Sequence, residues 1–410
     1  MKRIHYSWVI CLFASLLLIC TLAFPGNLIS VYLPYIEEEG FSGAQTSALI
    51  SIRCLLSIAG MFVLPLYYRY LTLRQGTALA AMMVAVGFVL FSVGGRYLWY
   101  VMGACISGLG YGLGSMIPLS VLLRNWFCAG QSTAIGICSA GTGISTVLLT
   151  PIVTEVFLRH GLAMAFWIPA FCSAIIAVGA YLTVRDKPEE LGLLPWGAVA
   201  GDHGGKKAAG DDGVFAWTGH ILTMVAMVWL LGGLTTAALG HYSLLFASEG
   251  YALRDISAAV SLFGVALIAG KVSYGHLTDR WGSFFPTVGS FGILLAGCVL
   301  CCLADGVHKS FMTTGLLLMG LGFPVSTVGV SIWAGDLAKG QAYTTLLKWF
   351  QIAFAIGGVI FSFLPGILYD RTGSYRISYV LTAGAILLTA VMFIVVYCAK
   401  KDQLCKKGAV

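Results

Sequence analysis

The chain has 410 residues, of which 59% are hydrophobic and only 10% are charged. A soluble domain needs far more charge to cover its surface, so this composition excludes an ordinary globular protein in water. The formal net charge of +7 does not by itself indicate a nucleic-acid-binding surface.

Twelve apolar stretches are each long enough to cross a bilayer as a helix, which needs about 20 residues. They are continuous rather than alternating, which is typical of helices and not of barrel strands. The first is too long for a removable signal peptide. We predict an all-α membrane protein with spans 1 to 12 near residues 8–36, 44–68, 77–95, 98–122, 131–155, 163–184, 217–247, 254–278, 284–304, 310–335, 341–367 and 375–398.

Residues 185–216 interrupt this pattern with a polar, charged and glycine-rich sequence that cannot span a membrane. They separate six spans from six spans. This predicts an N-terminal lobe at 1–184, a flexible central loop at 185–216 and a C-terminal lobe at 217–410 with a short basic tail.

Lys and Arg are distributed unequally among the segments between spans. With the N-terminus in the cytoplasm, 15 of the 24 fall on the cytoplasmic side and six on the opposite side. The excess follows the positive-inside rule and predicts a multi-pass protein of the cell (plasma or inner) membrane with both termini cytoplasmic. The net charge then reflects topology and contact with the membrane leaflet.

Three basic residues, Arg53, Lys271 and Lys348, lie inside predicted spans 2, 8 and 11, whereas every acidic residue lies in a loop or within a turn of a span end. A charge at such depth costs about 2.5–3.5 kcal/mol. Each side chain could snorkel or pair with backbone carbonyls. Otherwise the three cations line a water-accessible cavity that attracts an anion, and a cavity with cations and no acids favours a carboxylate.

Three further polar residues complete the candidate substrate site. Asn27 follows the Pro25-Gly26 break in span 1, where a kinked helix could expose carbonyl groups to the cavity. His241, near the end of span 7, is either a gate or proton group or an interface histidine. Tyr274 flanks Lys271 and either shapes the pocket or packs in the core.

Span 8 ends in a GxxxDRxG string, and a similar string follows at the end of span 11. The glycines allow helices to approach closely, and the Asp-Arg pair can lock helix ends together. The loop after span 2, LPLYYRYLTLRQG, keeps the basic residues but lacks the Asp and both glycines. We predict that the two strings control conformational change; they comprise Gly275, Asp279, Arg280 and Gly282, and Gly366, Asp370, Arg371 and Gly373.

Glycines and cysteines inside the spans are interpreted as packing residues. The four glycines of GLGYGLGS, at 108–115, indicate close helix contacts, since no strand precedes them and no Lys-Ser/Thr follows as in a phosphate loop. The twelve cysteines lie mostly inside spans and are interpreted as reduced apolar residues, so we expect no metal site and no cofactor.

With these motifs the sequence resembles the major facilitator superfamily over essentially the whole chain, and within it the monocarboxylate and oxalate/formate carrier branch. The resemblance is carried by HYSWVICLFASLLLICTLAFPGNLISVYLPYIEEEGFS, by RNWFCAGQSTAIGICSAGTGISTVLLTP and by the string that ends span 8. Lys271 takes the place of the branch's substrate-binding arginine. Lys348 resembles the lysine that oxalate/formate exchangers use for the carboxylate.

The resemblance implies a major facilitator fold of two six-helix lobes that transports a small organic anion, a mono- or dicarboxylate, by alternating access around a central site. Such an architecture places a complete path in one chain, so we expect a functional monomer in the lipid bilayer. We expect no catalytic residues, and no nucleic-acid partner because the net charge reflects topology. Proton-coupled members carry a lysine where this chain has Gly26 and an aspartate where it has Leu267. The resemblance therefore favours exchange or uniport over proton symport, with Arg53 as the displaced cation.

Two other functions stay open, and a third is not expected. The protein could carry another small solute or a drug-like compound, although a cationic compound would need an acidic cavity. It could be a sensor that has lost transport, which a measurement of flux through liposomes would decide. A membrane enzyme is not expected, because the sequence has no Ser/His/Asp set, HExxH motif or paired carboxylates within a span.

Overall fold

The computed structural model describes residues 5–28, 32, 36, 39–41, 43–198, 217–304, 307–361, 364–372 and 375–407. Within these residues, twelve helices are long and apolar enough to cross a membrane, by length and composition. This confirms the predicted all-α fold with twelve spans. Most observed spans begin and end within about five residues of the predicted ones, because hydropathy and bilayer thickness determine both. Three ends differ by more: the described helix of span 1 ends at Leu28 and not at 36, that of span 11 at Phe361 and not at 367, and that of span 12 at Lys407 and not at 398.

The chain divides into two compact units, Met1–Ala208 and Ala209–Val410. The first unit contains spans 1 to 6, which are Tyr6–Leu18 with its continuation Ile19–Leu28, Gly43–Tyr70, Leu73–Val93, Tyr97–Gly114 with Met116–Trp126, Gln131–His160 and Leu162–Thr183. The second contains spans 7 to 12, which are Gly219–Ser248, Leu253–Trp281, Phe284–Cys302, Lys309–Gly322 with Pro324–Leu337, Gly340–Phe361 and Arg376–Lys407, with a short helix at Leu364–Thr372 between the last two.

The two units repeat one pattern of helix packing. In the first unit, span 4 packs on spans 2 and 3, and span 3 packs on span 6. In the second unit, span 10 packs on spans 8 and 9, and span 9 packs on span 12. Each unit is therefore a six-helix bundle with its own core.

Three spans are interrupted within the membrane segment. Span 1 changes to a π-helix at Ile19, and this stretch contains Pro25. Span 4 breaks at Ser115, whose φ and ψ are −86° and −134°, and span 10 restarts at Pro324. Proline cannot donate a backbone hydrogen bond, and π-helical turns widen the helix, so backbone polar groups are freed at these points.

The glycines of GLGYGLGS lie where span 4 touches its neighbours. A Cβ atom added at Gly110 would lie 2.7 Å from the Ala80 carbonyl oxygen, which is closer than real Cβ contacts. One added at Gly112 would overlap the Ser57 carbonyl oxygen of span 2. The prediction that these glycines serve close helix packing is confirmed.

The first part of the central loop is packed, whereas the sequence predicts a flexible segment. Its described part, residues 185–198, packs on the first unit, while residues 199–216 lie outside the described residues. The Asp186 carboxylate accepts hydrogen bonds from the backbone N–H groups of Leu73 at 2.9 Å and Arg74 at 2.8 Å. It therefore caps the start of span 3 and supplies the negative charge that the loop after span 2 lacks.

Trp196 fixes the end of this segment. Its backbone N–H donates to the Trp126 carbonyl oxygen at 2.9 Å, and its carbonyl oxygen accepts from Cys128 at 2.9 Å. Its ring lies 5.4 Å from that of His5 and 5.9 Å from that of Trp8. These contacts hold the segment against the ends of spans 1 and 4.

Candidate functional site

Arg53 is the buried cation of the first unit. It lies in span 2, and its side chain is only 9% exposed. Its Nη2 donates to the Cys54 Sγ at 3.1 Å, and its Cζ lies 5.6 Å from the centre of the Tyr111 ring. The Nε is buried and has no hydrogen-bond partner among the described residues. A thiol is a weak acceptor, so this guanidinium has strong donors available for an anion.

Gly26 lies beside the same aromatic ring. A Cβ atom added at Gly26 would lie 3.7 Å from Cε2 of Tyr111, which is ordinary van der Waals contact. The π-helical stretch after Ile19 and Pro25 positions Gly26 there. Proton-coupled carriers of the resembled branch have a lysine at the position of Gly26. In this chain that position neighbours Tyr111, the ring that also lies beside Arg53. Asn27 follows in the same helix, but its side chain is outside the described residues.

Gly108 of span 4 sets how closely the backbone of Arg53 can approach. A Cβ atom added at Gly108 would lie 2.5 Å from the Arg53 carbonyl oxygen and 3.1 Å from its Cα. These are backbone atoms, so the contact cannot be relieved by a change of rotamer. Gly108 is therefore a positioning residue for Arg53.

Gly108→Ala is expected to displace span 2 at Arg53, lower the free energy of unfolding by about 1–3 kcal/mol and weaken anion binding. Gly289→Ala is the matched control, because Gly289 lies on span 9 with nothing within 4 Å of an added Cβ. The control should retain stability or gain about 1 kcal/mol from helix propensity. Thermal denaturation with and without anion measures both effects, and wild-type binding in Gly108→Ala would contradict the positioning role.

Lys271 is the buried cation of the second unit. It lies in span 8, and its side chain is 4% exposed. Its neighbour Gly270 packs on the backbone of span 10, where an added Cβ would lie 2.8 Å from the Leu321 carbonyl oxygen. Spans 8 and 10 are therefore in close backbone contact next to Lys271.

Tyr274, three residues after Lys271, is engaged in the core of the second unit. It is 2% exposed, and its hydroxyl lies 2.7 Å from Oγ1 of Thr287. The Trp333 Nε1 donates to the same Thr287 oxygen at 3.1 Å. This geometry favours the packing interpretation of Tyr274 over the pocket interpretation.

Lys348 and His241 are the half-buried polar candidates of the second unit. Lys348 is half-buried on span 11, with its Nζ 5.5 Å from the centre of the Trp349 ring. His241 is half-buried on span 7, where its Nδ1 lies 3.0 Å from the Ala237 carbonyl oxygen and its ring 6.1 Å from that of Tyr375. Span 11 packs mainly on span 7 and span 8 mainly on span 10, and both spans also pack on the second half of span 10, Pro324–Leu337.

The string at the end of span 8 forms a helix terminus. Gly282 follows the helix with a φ of +77°, a conformation that favours glycine, and its N–H donates to the Thr278 carbonyl oxygen at 2.9 Å. Gly275 is buried, whereas Asp279 and Arg280 are exposed. Span 8 thus ends one residue after the Asp-Arg pair, at Trp281.

The second string is only partly described. Gly366 and Asp370 belong to the helix Leu364–Thr372, and Arg371 in its last turn is exposed. Gly373, the surroundings of Gly366 and the side chain of Asp370 lie outside what the structure describes.

Span 9 ends in a cysteine cluster that is not among the motifs identified in the sequence. Residues 298–302, CVLCC, contain a CxxC spacing. Cys298 and Cys301 are fully buried, with Cys298 Sγ donating to the Tyr379 carbonyl oxygen at 3.3 Å and Cys301 Sγ 3.6 Å from Sδ of Met319. In the described part of the chain, no group of three or more His, Cys, Asp or Glu residues could hold a metal ion. The two buried thiols pack as apolar side chains.

Comparison with known proteins identifies relatives over nearly the whole chain. The family model described as Major Facilitator Superfamily matches residues 114–362 and 250–403. The chain is 24% identical to monocarboxylate transporter 12-B of Danio rerio, over 98% of this chain and 90% of that protein. It is 24% identical to the probable transporter MCH2 of Saccharomyces cerevisiae, over 74% of this chain and 62% of that protein. These matches confirm the resemblance seen in the sequence.

Two solved structures share the fold. FucP, a major facilitator transporter in the outward conformation, has a TM-score of 0.68 and 16% identity, over 94% of this chain and 98% of that one. The proton:xylose symporter XylE, bound to a bromodeoxyglucose, has a TM-score of 0.72 and 14% identity, over 94% of both chains. At this identity the likeness concerns the fold alone.

Proposed function

We propose that this chain, which belongs to the Major Facilitator Superfamily, carries a small organic anion with a carboxylate group across the membrane. The observation that carries the proposal is the guanidinium of Arg53, which is buried in an apolar span with its Nε unpaired among the described residues. Burying such a cation costs free energy that a bound carboxylate would offset. The similarity to monocarboxylate transporter 12-B supports the same substrate class.

The proposed substrate-binding residues are the basic ones that lie within spans. Arg53 offers a planar fork of donors that matches a carboxylate, whereas Lys271 and Lys348 act as compact point charges. Asn27 and His241 are proposed to contribute less to substrate binding. The strings that begin at Gly275 and Gly366 are proposed to control conformational change. Transport proceeds by alternating access in a monomer, with both termini in the cytoplasm.

Exchange or uniport is proposed in preference to proton symport. The resembled proton-coupled carriers use a lysine and an aspartate where this chain has Gly26 and Leu267, neither of which titrates. Gly26 lies against Tyr111, the ring beside Arg53, so a permanently charged arginine occupies the region of the missing lysine. An arginine keeps its proton throughout the transport cycle. The site therefore stays positively charged, which favours a carrier that changes conformation only with an anion bound.

The test is a thermal-shift panel on the purified protein, comparing small mono- and dicarboxylates with their uncharged amides, in wild type and Lys271→Gln. A ligand at 100 times its dissociation constant adds about 2.7 kcal/mol of stability. We expect one carboxylate to stabilise the wild type, its amide to have no effect, and Lys271→Gln to lose the response. Stabilisation by neutral or cationic compounds alone would overturn the carboxylate assignment.

Flux in proteoliposomes then separates the alternatives. An exchanger takes up labelled carboxylate only when the vesicles contain unlabelled carboxylate. A uniporter takes it up into empty vesicles as well. A carboxylate that stabilises the protein without any flux in either condition would indicate a sensor.

A further inference from the structure

We propose that Cys54 is a thiol-modification site at which Arg53 selects electrophiles that carry a carboxylate. The inference rests on the proposed binding of a carboxylate at Arg53. It adds a nucleophile to that site.

The thiol and the anion would share one guanidinium. Cys54 Sγ lies 3.1 Å from Nη2 of Arg53, and the Nε on the same planar group is buried and unpaired among the described residues. A carboxylate bound by this guanidinium would therefore lie beside the Cys54 sulfur. Cys54 is a half-buried residue.

Other thiols of the chain provide internal references. Cys105 is also half-buried, on span 4, and no contact between it and a cation is described. Cys138 is buried, with 1% of its side chain exposed, so its labelling reports loss of folded structure. A reagent that recognises the Arg53 site should distinguish Cys54 from both.

Iodoacetate is the simplest probe, because its carboxylate and its reactive carbon are adjacent. The Cys54 thiol loses its proton to water, and the sulfur electron pair forms a bond to the methylene carbon. The carbon–iodine bond breaks, iodide leaves with the bonding pair, and an S-carboxymethyl thioether remains. Iodoacetamide undergoes the same substitution but presents no charge to Arg53.

The experiment measures alkylation rates of each cysteine by peptide mass spectrometry on the full-length protein in detergent. The ratio of the iodoacetate rate to the iodoacetamide rate is divided by the same ratio for glutathione. We expect this normalised ratio to be about tenfold higher at Cys54 than at Cys105, since one charge-assisted interaction of about 1.4 kcal/mol gives that factor. Arg53→Gln should remove the preference, and Arg53→Lys should retain part of it.

Each outcome decides the inference. Equal normalised ratios at Cys54 and Cys105, or a preference that survives in Arg53→Gln, would overturn it. So would the absence of Cys54 alkylation while iodoacetate and iodoacetamide label an exposed thiol such as Cys128. Unchanged protection of Cys138 shows that a variant is folded.

Carboxylate flux separates this inference from the proposed function. If flux depends on Arg53 but Cys54 shows no preference, the transport proposal stands and the modification site does not. If Cys54 shows the preference but no carboxylate crosses the membrane, Arg53 binds anions and the transport proposal fails.

Discussion

Arg53→Gln is expected to lower carboxylate affinity by about 100-fold or more, and carboxylate-dependent flux with it. Each hydrogen bond to a charged group contributes about 1.5–3 kcal/mol, and two such bonds exceed the 2.8 kcal/mol that corresponds to about 100-fold. Glutamine keeps a polar side chain of similar reach but carries no charge. Because a buried cation is costly without its anion, the empty variant should unfold no more easily than the wild type.

Two variants isolate the charge at this position. Arg53→Lys keeps the charge without the planar fork, so we expect intermediate affinity. Arg69→Gln removes an exposed arginine from the same helix and should leave binding and flux unchanged. The measurements are the carboxylate-induced shift of the denaturation midpoint and uptake in proteoliposomes. A destabilised Arg53→Gln that still responds to carboxylate would show that the arginine serves the fold and not the substrate.

Hydropathy alone predicts the membrane fold, because each span must match the bilayer thickness and satisfy its own backbone. The same reasoning finds Arg53 and Lys271, since a charge within an apolar span is unusual. Both cations are buried in the structure, and their binding of an anion stays a prediction. These features depend on local sequence, so no knowledge of the tertiary contacts was needed.

Contacts between distant segments are beyond such reasoning. Asp186 caps the start of span 3 from a loop more than a hundred residues away, and the polar composition of that loop indicates flexibility instead. The hydroxyl of Tyr274 is paired with Thr287 of the next span, which no periodicity reveals. The shared neighbourhood of Gly26, Tyr111 and Arg53 likewise requires three spans to meet. Each of these contacts depends on which helices pack together, and the hydropathy of a helix does not identify the helix it packs against.

The contact between spans 7 and 11 predicts the largest loss of stability from a single added methyl group. A Cβ atom at Gly357 would overlap the Trp229 carbonyl oxygen and lie 2.9 Å from the Gly233 backbone nitrogen. Both are backbone atoms of span 7, so only a shift of a whole helix relieves the clash. That shift would also move Lys348, which lies nine residues earlier on span 11.

Gly357→Ala is expected to lower the free energy of unfolding by about 2 kcal/mol or more. Overpacking costs about 1–3 kcal/mol even where side chains can adjust, and here backbone atoms must move; the gain of about 1 kcal/mol in helix propensity does not offset this. Gly292→Ala is the matched control, because Gly292 lies on span 9 with nothing within 4 Å of an added Cβ. It gains helix propensity without a clash, so its free energy of unfolding should equal or exceed that of the wild type. Denaturation midpoints and yields of monodisperse protein compare the two. Equal midpoints for Gly357→Ala and wild type would mean that spans 7 and 11 can separate without cost, and that Lys348 is not held in place by this contact.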